Sequence, residues 1–153
     1  DLPPGTGDIA ISTGQLLPGS QVVVVTTPQT AAADVAVRAG MLAGQTHQSV
    51  VGVIENMSGF PCPHCGEPID LFGMGGGTRV AEELSAGLST DVPVLGRIPF
   101  DVRLREGGDS GQPLVLSDPA SPAAAALIEM ATTLARKPRG LSGVPLNITP
   151  AGR

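Results

Sequence analysis

The sequence predicts an α/β fold, a mostly parallel sheet flanked by helices, and two observations carry this prediction. Short apolar runs rich in β-branched residues alternate along the chain with longer segments of helical spacing. The runs are short and bounded by turn residues, which is typical of strands buried on both faces of a parallel sheet. With 153 residues, 41% of them hydrophobic, the chain has the size of one domain with a real core.

The predicted elements alternate in chain order, beginning with a helix. Each predicted strand is bounded by turn residues, and each predicted helix repeats its apolar residues every three or four positions. The predicted strands are residues 22–27, 50–54, 94–98 and, as the weakest, 114–116, and the predicted helices are residues 9–17, 30–43, 78–88 and 120–135.

An insertion interrupts this alternation after the second strand. Residues 58–77 are rich in Gly, contain Pro and hold both cysteines, and the segment is too long for an ordinary connection. Long loops in compact domains are usually functional. We therefore predict one domain over residues 1–136 with a functional insertion at 58–77. Residues 137–153 contain three prolines and three glycines without periodicity, which predicts a flexible tail.

Charge and aromatic content exclude several classes of partner. The formal net charge is −5, which argues against a nucleic-acid surface and against binding to anionic membranes. Aromatic residues are 2% of the chain, too few for the stacking platforms that bind single strands. No apolar run approaches the roughly 18 residues of a membrane helix. We expect a cytoplasmic protein with no nucleic-acid and no membrane partner.

Cys62 and Cys65 form a C-x-x-C turn, and they are the only cysteines. Two thiolates three positions apart in a Gly- and Pro-rich turn can bind one metal. A redox pair and two inert thiols are the alternatives, although the prolines disfavour the helix that a thioredoxin-like pair opens. One chain supplies half of a tetrahedral site, since His47 and His64 are the only histidines. A two-fold dimer sharing one metal centre is the economical solution.

Three other places hold candidate ligand-binding residues. In the loop at residues 1–8, an Asp could hold a Mg²⁺-bound water and a Gly N–H could approach a phosphate, unless the loop is only a disordered terminus. Asn56 follows the second strand and either contacts a ligand base or closes a turn. Asp101, two residues after Pro99, either bonds a ribose or caps the next helix.

Phosphate-binding loops of the usual pattern are missing from this sequence. The glycine run at residues 73–77 fits neither G-x-x-x-x-G-K-[ST] nor G-x-G-x-x-G, so we interpret it as a flexible hinge. Lys137 is the only lysine, so this chain alone cannot be a complete P-loop ATPase. Because the chain opens without Met inside a functional-looking loop, we interpret it as truncated at the N-terminus. We expect such a truncation to expose a sheet edge and an apolar helix face.

Taken together, these motifs resemble the Mrp/ApbC family of P-loop ATPases, the iron–sulfur cluster carrier proteins. The resemblance covers residues 1–135 and depends on six motifs in order around the C-x-x-C turn. They are DLPPGTGD (1–8), VTTPQ (25–29), VIENMS (53–58), CPHCG (62–66), LFG with its following glycines (71–77) and GRIPFD (96–101).

The resemblance implies a P-loop NTPase fold like that of MinD and the nitrogenase iron protein, here truncated at the N-terminus. It implies that Cys62 and Cys65 of two subunits bridge a 4Fe-4S cluster in a homodimer. The cluster would be transferred to apo iron–sulfur proteins under ATP control. By the same resemblance, Asp1 belongs to a Mg²⁺-sensing switch and Gly5 lies near the γ-phosphate.

The resemblance further implies that Asn56 contacts adenine and that Pro99 and Asp101 line the adenine and ribose pocket. ATP and Mg²⁺ are then cofactors of the full-length protein. The family hydrolyses ATP, but the lysine-bearing phosphate loop is missing here, so we expect no ATPase activity from this chain alone. Two alternatives are a zinc-bridged noncatalytic dimerisation module and a MinD/ParA-type partition ATPase. Negative charge and the lack of a basic amphipathic helix disfavour the second.

Overall fold

The computed structural model describes residue 2 and residues 7–17, 19–62 and 64–136. Helices and strands alternate through most of this range, with one short hairpin inside the insertion. In chain order the elements are α1 (Asp8–Leu16), β1 (Gln21–Thr26), α2 (Thr30–Gln45), β2 (Ser49–Glu55), β3 (Phe60–Pro61), β4 (Pro68–Ile69), α3 (Gly76–Leu88), β5 (Val94–Arg97), α4 (Val102–Ser110), α5 (Leu114–Ser117) and α6 (Pro122–Arg136).

Strands β1, β2 and β5 form a parallel sheet with β2 in the centre. In the register, Val53 lies opposite Val24 on one side and Val94 on the other. Because all three strands run the same way, their carboxyl ends meet at one edge, where ligands of open α/β sheets bind. Three of the four predicted strands and all four predicted helices are thus confirmed, with ends shifted by at most two residues.

Helices cover both faces of the sheet. Val53 is fully buried in a core cluster with α2 and α3, whereas its neighbour Ile54 packs into a second cluster with α6. Successive residues of a strand point to opposite faces, so the two clusters lie on opposite sides. Gly96 in β5 lets α6 approach closely, because a Cβ there would lie 2.7 Å from side-chain atoms of Met130. The α/β fold class is confirmed.

The fourth predicted strand is wrong, since residues 114–116 belong to α5. The amide groups of Leu116 and Ser117 both donate to the carbonyl of Pro113, at 2.9 and 3.2 Å, which closes a helical turn. A three-residue apolar run is too short to distinguish a strand from one turn of helix. Helix α4 was not predicted by periodicity, since its sequence is mostly polar and contains two glycines.

An apolar cavity of about 800 Å³ lies beside β1, which is an edge strand of the described sheet. Its walls are side chains of α1, β1 and α2, and Val25 of β1 is 57% exposed. Among the described residues, no helix is both long and apolar enough to cross a membrane. The cytoplasmic location remains a prediction.

Candidate metal centre

The two cysteines lie in the loop of the hairpin formed by β3 and β4. The amide of Cys62 donates to the carbonyl of Glu67 at 2.8 Å, and the amide of Gly66 donates to the carbonyl of Cys62 at 2.8 Å. Gly66 has a φ of +77°, a left-handed conformation that glycine adopts without steric cost. These bonds fold the C-x-x-C segment into a tight turn at the tip of the insertion.

The turn favours a thiolate at Cys62. The backbone N–H groups of Cys65 and His64 donate to the Cys62 sulfur, and the Cys65 side chain also bonds to it, which lowers the pKa of the Cys62 thiol. Burial acts weakly in the opposite direction. Both thiols are free, with Cys62 half-buried and Cys65 exposed. Since the thiolate is the form that binds metal, the turn is chemically suited to be half of a metal site.

One copy of the described chain supplies no further ligands for this site. Within residues 2, 7–17, 19–62 and 64–136, no group of three or more His, Cys, Asp or Glu side chains could hold a metal. His64 lies between the cysteines with its side chain exposed, and no third ligand joins the pair. Two thiols amount to half of the protein ligands in a four-thiolate metal site.

All three aromatic residues of the chain meet at the base of the insertion. The ring centroids of Phe60 and Phe100 are 5.6 Å apart in an edge-on arrangement, and those of Phe72 and Phe100 are 6.1 Å apart. The amide of Phe100 also donates to the carbonyl of Gly59 at 2.8 Å. Such aromatic pairs contribute about 1 kcal/mol each beyond burial. They pack the hairpin onto the segment that follows β5, a contact that sequence spacing did not predict.

Asn56, Pro99 and Asp101 all lie beyond the carboxyl ends of neighbouring strands. The amide of Asn56 donates to Thr26 at 2.8 Å, which continues the β1–β2 pairing. The side-chain oxygen of Asn56 accepts from the amide of Met57 at 2.8 Å, so this oxygen closes a turn. The structure brings the three residues to one sheet edge, as predicted, and their role toward adenine and ribose remains a prediction.

Asp101 is the N-cap of α4. Its carboxylate accepts from the amide of Arg103 at 2.9 Å and forms an ion pair with the Arg103 guanidinium at 2.7 Å. The side-chain hydrogen bond from Arg103 is the main cause that lowers the pKa of Asp101. Arg103 also pairs with Asp118 at 2.7 Å. The capping interpretation of Asp101 is what the structure shows, and a ribose would have to compete with Arg103 for this carboxylate.

We expect Asp101→Ala to destabilise the protein by about 1 kcal/mol at pH 7, because α4 loses its cap. Asp101→Asn keeps a capping oxygen and should cost less. Since the native pKa is lowered, the ionised carboxylate stabilises the fold above the unfolded value of about 3.9, and this contribution is lost as pH falls through the native pKa. Urea unfolding from pH 3 to 7 should therefore show that the free energy of unfolding falls less steeply toward low pH in Asp101→Asn than in the wild type. Equal stability of wild type and Asp101→Ala at pH 7 would contradict the cap.

Glu55 is a buried residue at this edge that sequence reasoning missed. Its side chain is 1% exposed, and its carboxylate accepts from Ser58 Oγ and from the amide of Gly77, both at 2.6 Å. Arg97 Nε lies 3.3 Å from the same carboxylate. Only a tertiary structure reveals this set, because Gly77 is 22 residues away in sequence.

The glycine run before α3 has a packing role that differs from the predicted hinge. Gly75 is the N-cap with a φ of +81°, and Gly76 and Gly77 are buried first residues of α3. A Cβ on Gly76 would overlap the backbone carbonyl of Thr27, and one on Gly77 would lie 2.8 Å from the Cβ of Glu55. The last two glycines therefore let α3 begin directly against the sheet edge.

Two predicted site residues, Asp1 and Gly5, lie outside the described residues. The predicted tail at residues 137–153 lies outside them as well. The Mg²⁺-sensing switch and the tail therefore remain predictions.

Comparison with solved structures defines the class of protein as P-loop NTPases. The chain is similar to a nucleotide-binding protein from Archaeoglobus fulgidus described in complex with ADP and with cobalt, at 35% identity and a TM-score of 0.59 over 79% of this chain and 46% of that one. It is also similar to the septum site-determining protein MinD of Pyrococcus horikoshii complexed with Mg-ADP, at 26% identity and a TM-score of 0.54 over 85% and 45%.

Within this class, the chain belongs to the family described as ParA, NUBPL iron-transfer P-loop NTPase, whose model matches residues 1–135. An iron–sulfur cluster carrier protein of Mycobacterium leprae is 54% identical over all 153 residues. The chain spans 40% of the length of that relative. The resemblance derived from the six motifs is thus confirmed at the level of the family.

Proposed function

We propose that this chain is the cluster-holding part of an iron–sulfur cluster carrier. Cys62 and Cys65 of two copies bridge one 4Fe-4S cluster, which is cargo for apo iron–sulfur proteins. The observation that carries this proposal is a pair of free thiols in a turn that has no third ligand among the described residues. A cluster with four thiolate ligands then needs a second copy of the chain.

The hydrogen bonds of the turn support this use. The N–H groups of His64 and Cys65 aim at the Cys62 sulfur, and such donors offset the negative charge that four thiolates bring to one centre. Cys65 is exposed, so its sulfur is accessible to a centre shared with a second copy. The turn is therefore preorganised for metal binding in its metal-free form.

Exposed apolar side chains on the same insertion support the homodimer. Ile69 is 43% exposed, Leu71 56% and Met74 77%, although large apolar side chains are usually buried. Several exposed apolar side chains on one insertion are expected where another protein surface covers them. A second copy of the chain, meeting the first at the cysteines, would cover this group.

We propose that a nucleotide with Mg²⁺ binds at the sheet edge and controls how the cluster is held. Asn56, Pro99 and Asp101 fit the base and ribose end of such a ligand, since they lie together beyond β2 and β5. Asp1 and Gly5, proposed for the Mg²⁺ and phosphate end, lie outside the described residues. The cysteine insertion begins two residues after Asn56, so a ligand at this edge would contact the base of the insertion.

Zinc is the second candidate metal, because a four-thiolate centre shared by two copies also fits Zn²⁺. The chain would then be a noncatalytic dimerisation module. The family description, which names iron transfer, favours the cluster. The two readings differ in iron, sulfide and zinc content, which can be measured on one sample.

The test is anaerobic reconstitution with iron and sulfide, followed by metal analysis and solution mass on the same sample. We expect about two irons and two sulfides per chain in a dimer, as a bridged 4Fe-4S cluster requires. About half an equivalent of zinc per chain without iron would replace the carrier by the zinc module. A chain that takes up no metal would contradict both.

A further inference from the structure

A buried carboxylate joins the two ends of the cysteine insertion. Glu55 is the last residue of β2, and its side chain is almost completely buried. Isolated buried carboxylates are costly, so such a group persists only where donors hold it. Its donors are Ser58 Oγ and the amide of Gly77, each at 2.6 Å. These two residues are the first and the last of the insertion at 58–77.

Each end of the insertion bonds to its own oxygen of Glu55. Ser58 donates to Oε1 and Gly77 donates to Oε2. The loop between these two ends contains Cys62 and Cys65. One rigid strand residue therefore closes the base of the loop whose tip holds the thiols. Neither bond could be formed by a shorter side chain without moving the strand or α3.

Packing and charge around the carboxylate strengthen this closure. Gly77 sits against the Cβ of Glu55, and no side chain fits between them. The amino end of α3 also favours a negative charge at this point. Arg97 of β5 approaches the carboxylate at 3.3 Å and donates to Thr78 Oγ1 at 2.8 Å, which ties β5 to the same helix end. The insertion is thus fixed to two strands and one helix.

We propose that Glu55 is the positioning residue of the cysteine loop. By holding Ser58 and Gly77 together, Glu55 fixes the base of the cysteine loop. The two thiols then move less relative to each other, and this restricted motion determines the rate at which a bound metal dissociates. This inference rests on the proposed function, since it gives the loop a metal to retain. Glu55 itself binds neither metal nor nucleotide, and it acts on the cysteine site through its hydrogen bonds to the loop.

The first test is Glu55→Gln, which keeps the volume of the side chain and removes its charge. The amide oxygen can accept from Gly77 while the NH₂ group donates to Ser58 Oγ, but both bonds become neutral and weaker. The NH₂ group also faces Arg97, whose ion pair with residue 55 is lost. In the metal-free chain we expect amide hydrogen exchange within residues 58–77 to become about tenfold faster. Loss of bound Co²⁺ to excess EDTA, followed by the thiolate–cobalt absorption, should become faster by a similar factor of about ten.

The matched control is Glu83→Gln, which removes an exposed carboxylate of α3 that forms a surface ion pair with Arg79. It should leave both exchange and Co²⁺ loss unchanged, because exposed ion pairs contribute little. Ser58→Ala and Ser58→Thr form a second pair, in case Glu55→Gln fails to fold. Ser58→Ala removes one bond and should accelerate both processes about fivefold, and Ser58→Thr, which keeps a hydroxyl, should restore them.

Two results would overturn the proposal. One is an amide hydrogen-exchange rate within residues 58–77 that is the same in Glu55→Gln and Ser58→Ala as in the control Glu83→Gln. The other is faster exchange with unchanged Co²⁺ loss, since Glu55 would then hold the loop without affecting the metal. Failure of the proposed function can be distinguished from failure of this inference. A wild-type chain that binds neither Co²⁺ nor an iron–sulfur cluster would refute the metal site. The exchange data would still show whether Glu55 closes the loop.

Discussion

Cys62→Ala and Cys65→Ala should each reduce iron incorporation from about two irons per chain to nearly none. The expectation follows from the ligand count. Within the described residues no other Cys, His, Asp or Glu side chain joins the pair, so nothing replaces a lost thiolate. A dimer of either variant keeps two of the four thiolates, which is too few for a 4Fe-4S cluster. Iron and sulfide analysis after anaerobic reconstitution measures the effect.

The control for this experiment lies between the two cysteines. His64→Ala changes an exposed side chain in the same turn and leaves both thiols in place. We expect it to retain the cluster, because the structure gives the imidazole no ligand role. Both cysteine variants should keep the unfolding midpoint of the metal-free wild type within a few degrees, since their thiols are at or near the surface. Unchanged iron content in Cys62→Ala would refute the bridged cluster. Loss of iron in His64→Ala would mean that His64 is a further ligand of the cluster.

The sequence predicts those parts of the fold that depend on local pattern. The valine run in β1 and the apolar run in β2 identify two strands of the parallel sheet, because short runs rich in β-branched residues are typical of such strands. Burial is not uniform, since Val25 of the edge strand β1 is exposed. The C-x-x-C turn is equally local, since the ligand spacing is read directly from the chain. Residues 114–116 show the limit of this reasoning, because three apolar residues after a proline fit one helical turn as well as a strand.

The unpredicted parts of the site depend on contacts between distant segments. Glu55 looks like an ordinary polar residue after a strand, and its second partner, Gly77, lies across the whole insertion. The aromatic cluster likewise joins Phe60 and Phe72 to Phe100 from beyond β5. Local periodicity contains no signal for either set. Both sets lie at the base of the cysteine loop, so the sequence identified the thiols but not what holds them.

Gly76→Ala should have the largest effect on stability, because the new methyl group meets main-chain atoms. Its Cβ would overlap the carbonyl oxygens of Thr27 and Pro28, which no change of side-chain rotamer can relieve. Overpacking of this kind costs about 3 kcal/mol. For a domain of this size that lowers the unfolding midpoint by about 6 to 12 °C, which thermal unfolding followed by circular dichroism measures.

Gly108→Ala is the matched control, since Gly108 is also a helical glycine but has open space around its Cβ position. Alanine is the better helix former, so Gly108→Ala should leave the midpoint unchanged or raise it. The comparison also connects stability to the site, because Gly76 brings the amide of Gly77 onto the Glu55 carboxylate. Where Gly76→Ala remains folded, α3 must withdraw from the sheet edge, and Co²⁺ loss should accelerate as in Glu55→Gln. A midpoint for Gly76→Ala at or above that of Gly108→Ala would contradict the close packing of α3 against the sheet.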